Sequence, residues 1–222
     1  LDEHYTAQAF ITTDLSDNQI IAFHPGAMSD AHAVSATAAQ RAGEPAAFGI
    51  VAPNGRDAML QHAREFVQAG VPYVFDPGQG LPMFDGEALR GFIATATAVA
   101  VNDYEASLLV ERTGWSEPQI AERVQALIVT RGAEGSRVYE PGRMTEVAPA
   151  AISRAVDPTG CGDAYRGGLL YALANGASWV DAARLGSVMG AIKIEHQGAQ
   201  NHRVDRDEVA RRFAQAYGRA PW

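Results

Sequence analysis

The sequence is poor in the residues that would give it a disulfide frame, a metal cluster or a nucleic-acid face. One cysteine, Cys161, occurs in 222 residues. That excludes an internal disulfide and a Cys-based metal cluster and agrees with a reducing, cytoplasmic setting. No block of Lys or Arg breaks up a net charge of −8. Nucleic acid held by bulk charge is therefore excluded as a partner, while a local pocket for phosphate stays open. No apolar run approaches the ~20 residues that span a bilayer, and no signal-peptide pattern is visible, so no membrane partner is expected. His24, His32, His62 and His196 are scattered without ligand spacing. Internal repeats, low-complexity stretches and linkers are also missing. The chain opens at Leu1 without a Met and enters a strand-like run almost at once, as a fragment or a processed protein would.

What is present is a globular composition, 47% hydrophobic, enough to bury a sizeable core. Two β-like runs come first, Thr6–Thr13 and Asn18–His24, with the polar stretch Asp14-Leu15-Ser16-Asp17 reading as a hairpin connection. Pro25-Gly26-Ala27-Met28 then breaks the strand. Beyond it, short apolar runs at 46–51, 71–75, 95–101 and 126–130 alternate with helical patterns near 54–69, 85–95 and on to about Val124. Continuous apolar runs alternating with helices predict a parallel sheet buried on both faces. Two short strands near 135–139 and 144–148 predict a hairpin, and helices follow at 160–174, 179–195 and 205–217. The expected fold is α/β with a mostly parallel sheet and a small β lid, divided as a lid segment over 1–28 and an α/β domain over 29–222.

The stretch that carries chemistry is Asp157-Pro-Thr-Gly-Cys-Gly-Asp163-Ala-Tyr-Arg-Gly-Gly168. A Gly-x-Gly turn feeds an apolar helix, so successive N–H groups are free to point into one concavity, and the helix N-terminus adds partial positive charge. A carboxylate at that point, Asp163, would repel a bound phosphate unless it accepted a proton from an attacking hydroxyl. The same residues also suit a plain N-cap and a glycine-rich turn.

DPTGCGDAYRGG resembles the C-terminal signature of the ribokinase-like, or PfkB, family of carbohydrate and nucleoside kinases, whose usual form is Asp-Thr-x-Gly-Ala-Gly-Asp. Pro158 and Cys161 depart from it. Other segments follow in the family's order. Asn102-Asp-Tyr-Glu105 is similar to Asn-x-x-Glu, although it is equally a helix capping box. Thr130-Arg-Gly-Ala-Glu-Gly135 is similar to Thr-x-Gly-x-x-Gly, and Gly198-Ala-Gln200 to the stretch after the adenine-side helix. The wording of the lid strands is closest to bacterial or archaeal adenosine or nucleoside kinases. The family's earlier strands, with a substrate-binding Asp and a Gly-Gly motif, do not appear before the lid.

The resemblance implies a three-layer α/β/α fold and an ATP-dependent kinase, with a nucleoside or sugar as its small-molecule substrate. It assigns Asp163 as general base and the Gly160-Cys161-Gly162 backbone as anion hole. ATP would lie across the 130–136 loop and the 186–194 helix, touching Asn102, Thr130, Gly132, Gly135, Ser187 and Gly190. Glu105 would organise Mg2+ through water, and Asp157, Thr159 and Gly198 would hold a monovalent cation such as K+. A homodimer through the lid is expected of some members. The other expectations are a ribose- or fructose-type sugar kinase, or a truncated binding protein that senses a nucleotide or sugar without turnover.

Overall fold

The structure is a computed structural model that describes residues 3–14, 19–38 and 46–222. β1 (Gln8–Thr13) and β2 (Gln19–His24) pair antiparallel, with Phe10 opposite Ala22 and Ile11 opposite Ile21. The expected hairpin pairing is present; its connection at Leu15-Ser16-Asp17 lies outside the described residues. A 3-10 turn at Gly26–Ala33 ends this ribbon where Pro25 and Gly26 predict a break.

The main sheet has six strands in sequence order: β3 (Gly49–Val51), β4 (Tyr73–Phe75), β5 (Ala98–Asn102), β6 (Ala126–Thr130), β7 (Ser136–Glu140) and β8 (Arg143–Val147). β3 to β6 are parallel, and β7 and β8 add antiparallel. The run expected as a strand over 46–51 is extended only from Gly49. Its neighbour β4 begins after Pro72, which has no N–H to extend the ladder.

Each crossover between parallel strands contains helix: α1 (Arg56–Gln68), α2 (Gly86–Thr95), and α3 (Asp103–Thr113) with α4 (Glu117–Ala121). α5 (Cys161–Ala174), α6 (Trp179–Ile194) and α7 (Arg206–Tyr217) follow the sheet. Strand alternation sorts the core into two layers. Tyr73, Phe75, Val99, Val101, Leu127 and Val129 pack with α1 to α4. Val74, Ala98, Ala100, Ala126 and Ile128 point the other way, onto α5, α6 and α7. Three of those five are alanines, which lets α5 and α6 approach the sheet closely. The two helices also touch backbone to backbone, since a Cβ on Gly168 would stand 3.0 Å from Gly186 Cα. The result is the three-layer α/β/α arrangement. Among the described residues no helix is long and apolar enough to cross a membrane.

Candidate active site

Parallel strands deliver the residues at their carboxyl ends to one edge of the sheet, the usual place for a site in an open α/β fold. Here those residues are Asp76 just after β4, Asn102 at the end of β5 and Thr130 at the end of β6. The lid is rooted at the same edge. A Cβ on Gly55, the residue before α1, would come within 2.9 Å of Met28 O. Ala27 N–H donates to Tyr5 O at 2.8 Å, and Gly26 sits at φ +50, with no room for a Cβ against Tyr5 O.

α5 reaches this edge from the other face. Its N-cap is Gly160, at φ +83, a left-handed conformation that glycine adopts without strain. No side chain caps the helix. Cys161 N–H, expected to face a bound anion, instead donates to Pro158 O at 3.1 Å and closes the turn. Among the described residues the N–H groups of Gly162 and Asp163 meet no acceptor, so the open donors lie one residue further along than the sequence suggests. The Asp163 side chain is exposed beside them. Burial pushes the Cys161 thiol above its ordinary pKa, which favours the thiol over the thiolate, and its Sγ rests 3.9 Å from Asp157 O.

The sequence reading overlooked two partners of this turn. Arg166, one helical turn after Asp163, forms a buried pair with Asp76, Nη2 donating to Oδ1 at 2.7 Å while Nε faces Oδ2. Burial raises the Asp76 carboxyl to about 6; Arg166 opposes that rise, and the charges of Glu105 and Asp163 add to it. Three carboxylates and one guanidinium therefore share one neighbourhood. The available signals were an Asp ending an apolar run, in register with Asn102 and Thr130, and an Arg on the Asp163 side of its helix.

Asn102 and Glu105 form the capping box. Asn102 Oδ1 accepts from Glu105 N–H at 2.7 Å, and Glu105 Oε2 accepts from Asn102 N–H at 2.8 Å. The cap uses half of each side chain. The Asn102 amide NH2 and Glu105 Oε1 carry no bond among the described residues, so the structural role leaves a polar half of each for a ligand. Glu105 fits Mg2+ in that sense, since Mg2+ takes few carboxylates and keeps several waters. No three acidic or imidazole groups converge as a metal cage among the described residues.

Gly132 (φ +52) and Gly135 (φ +81) shape the loop after β6, and Arg131 N–H closes it onto Gly135 O at 2.8 Å. A Cβ on Gly135 would collide with Val147 O. Ser187 is engaged, its Oγ accepting from Ala150 N–H at 2.9 Å. Gly190 faces the Cys161 carbonyl, with 3.6 Å to spare for a Cβ. Asp157, buried, accepts from Thr159 N–H at 2.9 Å and from Gly198 N–H at 2.7 Å, and these donors hold its carboxyl down to about 2. Asp157, Thr159 and Gly198 therefore do come together, as donors around a carboxylate.

A family model described as pfkB family carbohydrate kinase matches residues 1–206. The chain belongs to this family. It is accordingly a phosphotransferase with a hydroxyl acceptor, in the ribokinase fold. Among curated relatives of the family, a nucleoside kinase of Methanocaldococcus jannaschii is 29% identical over 96% of this chain and 68% of its own length. A nucleoside kinase of Methanothermobacter thermautotrophicus is 30% identical over 97% and 69%. Among solved structures, a Burkholderia thailandensis nucleoside kinase in complex with inosine is 51% identical, with a TM-score of 0.93 over 98% of this chain and 70% of that one. The same kinase is also known in complex with ADP-inosine.

Proposed function

We propose that the protein transfers the γ-phosphoryl group of ATP to a hydroxyl of a nucleoside, with Asp163 as general base. The observation that carries this reading is the first turn of α5, where two open N–H groups adjoin an exposed carboxylate and have a buried Arg166–Asp76 pair behind them. The likeness to a kinase that binds inosine supports a purine nucleoside as acceptor.

In the reaction, the acceptor O–H proton passes to the Asp163 carboxylate as the oxygen attacks the γ-phosphorus. An O–P bond forms, the bond from the γ-phosphorus to the bridging oxygen breaks, and ADP departs with the electron pair. The N–H groups of Gly162 and Asp163 stabilise charge on the transferring group, and the helix N-terminus assists. Mg2+, when bound, would neutralise phosphate charge, and the unengaged Glu105 Oε1 would hold it, while the Asn102 NH2 is free to donate to a nucleotide phosphate. The loop of Gly132 and Gly135 lets nucleotide approach backbone closely.

The lid carries apolar side chains on both faces, Phe10 and Ile20 on one, Ile11, Ile21 and Phe23 on the other, all exposed. One face closing over the acceptor would keep water from the phosphoryl group. The other face suits a second copy of the chain in a homodimer. The test is ATP consumption with product identification against inosine, adenosine, guanosine, ribose and fructose. Nucleoside monophosphate as the dominant product is expected. Turnover of the free sugars alone would replace the nucleoside with a sugar acceptor, and nucleotide binding without turnover of any of them would leave only a sensor.

A further inference from the structure

Lys193 is the only lysine in the sequence, against seventeen arginines. It lies in the penultimate position of α6 and is fully buried, at 0% exposure, the most deeply buried charged side chain among the described residues. Lysine almost never occupies such a place unless its charge is used. Its Nζ donates to Asp157 O at 2.6 Å and to His196 O at 3.1 Å. Two loop carbonyl oxygens, one before α5 and one just after α6, thus receive one compact ammonium.

The same loop was expected to hold K+ through Asp157, Thr159 and Gly198. The residues present do not fit that ion. Asp157 Oδ1 accepts from Thr159 N–H, and Oδ2 accepts from Gly198 N–H at 2.7 Å and Gln197 Nε2 at 3.0 Å. A monovalent cation needs converging oxygens; this carboxylate is ringed by N–H donors, and the Asp157 carbonyl is already taken by an ammonium. The loop has negative charge to balance, and a covalent cation balances it.

We infer that Lys193 is a built-in cation that replaces a monovalent metal ion, holding the 157–162 loop in the shape that presents the Gly162 and Asp163 N–H groups to phosphate. The linkage is short. Lys193 fixes the Asp157 carbonyl, Ile194 O fixes the Val156 and Asp157 N–H groups at 2.8 and 3.2 Å, and the Pro158 carbonyl of the same loop accepts from Cys161 N–H. Gly160 then packs on Ala199, where a Cβ would stand 3.0 Å from the Ala199 carbonyl. Lysine rather than arginine follows from size, because a compact point charge fits between two carbonyls and a planar fork does not. Lys193 is a positioning residue, since it touches the loop and no reacting atom.

The inference rests on the proposed phosphoryl transfer for its effect on rate, but its first test needs no turnover. Thermal unfolding of the wild-type protein is followed in potassium chloride and in tetramethylammonium chloride at matched ionic strength. An ion that binds only the folded protein raises its melting temperature. No potassium-specific rise is expected, and a rise that saturates with potassium would overturn the inference. Steady-state turnover of the wild type should likewise agree within about twofold in the two salts, both being screened alike; activation by potassium of about tenfold or more contradicts the built-in cation. Lys193→Met, which conserves volume, should lower kcat by ~10²-fold, the scale of losing aligned anion donors. A Lys193→Met protein with wild-type kcat in tetramethylammonium would sink the idea. If this variant does not fold, the two wild-type measurements decide.

Discussion

Asp76, paired with Arg166 of α5, and Asp157, in the loop before α5, are both buried residues, at 4% and 9% exposure. Asp76 meets a single guanidinium, and burial, with the charges of Glu105 and Asp163, raises its carboxyl to about 6. Asp157 meets three N–H donors and its carboxyl falls to about 2. Residue exposure alone therefore does not set the charge state of an aspartate; burial of the carboxyl dominates at Asp76, and hydrogen-bond donors dominate at Asp157. Asp157 is built to stay ionised and hold a loop. Asp76 is poised where its charge responds to what enters the site, since the charges of Glu105 and Asp163 already act on it.

The largest effect should come from breaking the Asp76 side. Arg166→Met leaves a buried carboxylate without its partner and should cost about 3–5 kcal/mol of unfolding free energy, measured by denaturant titration. The double variant with Asp76→Asn should recover much of that loss, because both charges are then gone. A double variant no better than the single one would mean that the pair is not coupled as described.

A smaller effect, opposite in sign at the two residues, should appear in pH dependence. Asp157 has a depressed pKa, so its contribution is full above the unfolded value near 4 and is lost as pH falls toward 2. Asp76 has a raised pKa, so the folded state holds its proton longer, and its contribution declines as pH rises from near 4 through about 6. Unfolding free energy of wild type, Asp157→Asn and Asp76→Asn across acid pH separates the two. The Asn variant at each position should remove the slope assigned to it. Slopes of the same sign would collapse the contrast.

Much of this fold was readable in the chain. The apolar runs at 126–130 and 95–101 sit within a few residues of β6 and β5, because strands buried on both faces announce themselves as uninterrupted hydrophobic segments. The turn before α5 was readable too, since its glycines mark a left-handed conformation that glycine adopts without strain, as Gly160 does. Long-range pairing was not. Asp76 and Arg166 stand ninety positions apart and meet only because the sheet edge and α5 converge. Cys161 looked like an anion donor until its N–H was found closing a turn with Pro158. Lys193 went unremarked in the sequence, as nothing local reports that its Nζ reaches back to residue 157.

The most direct test of the account is Asp163→Asn, assayed for turnover and for nucleotide affinity in the same preparation. Loss of general-base catalysis predicts a fall in kcat of ~10²–10⁴, with ATP binding retained or strengthened, because a negative charge beside the phosphates has been removed. A variant that keeps kcat within a few-fold of wild type would contradict the assignment of Asp163 and, with it, the reading of the α5 N-terminus as the place of phosphoryl transfer.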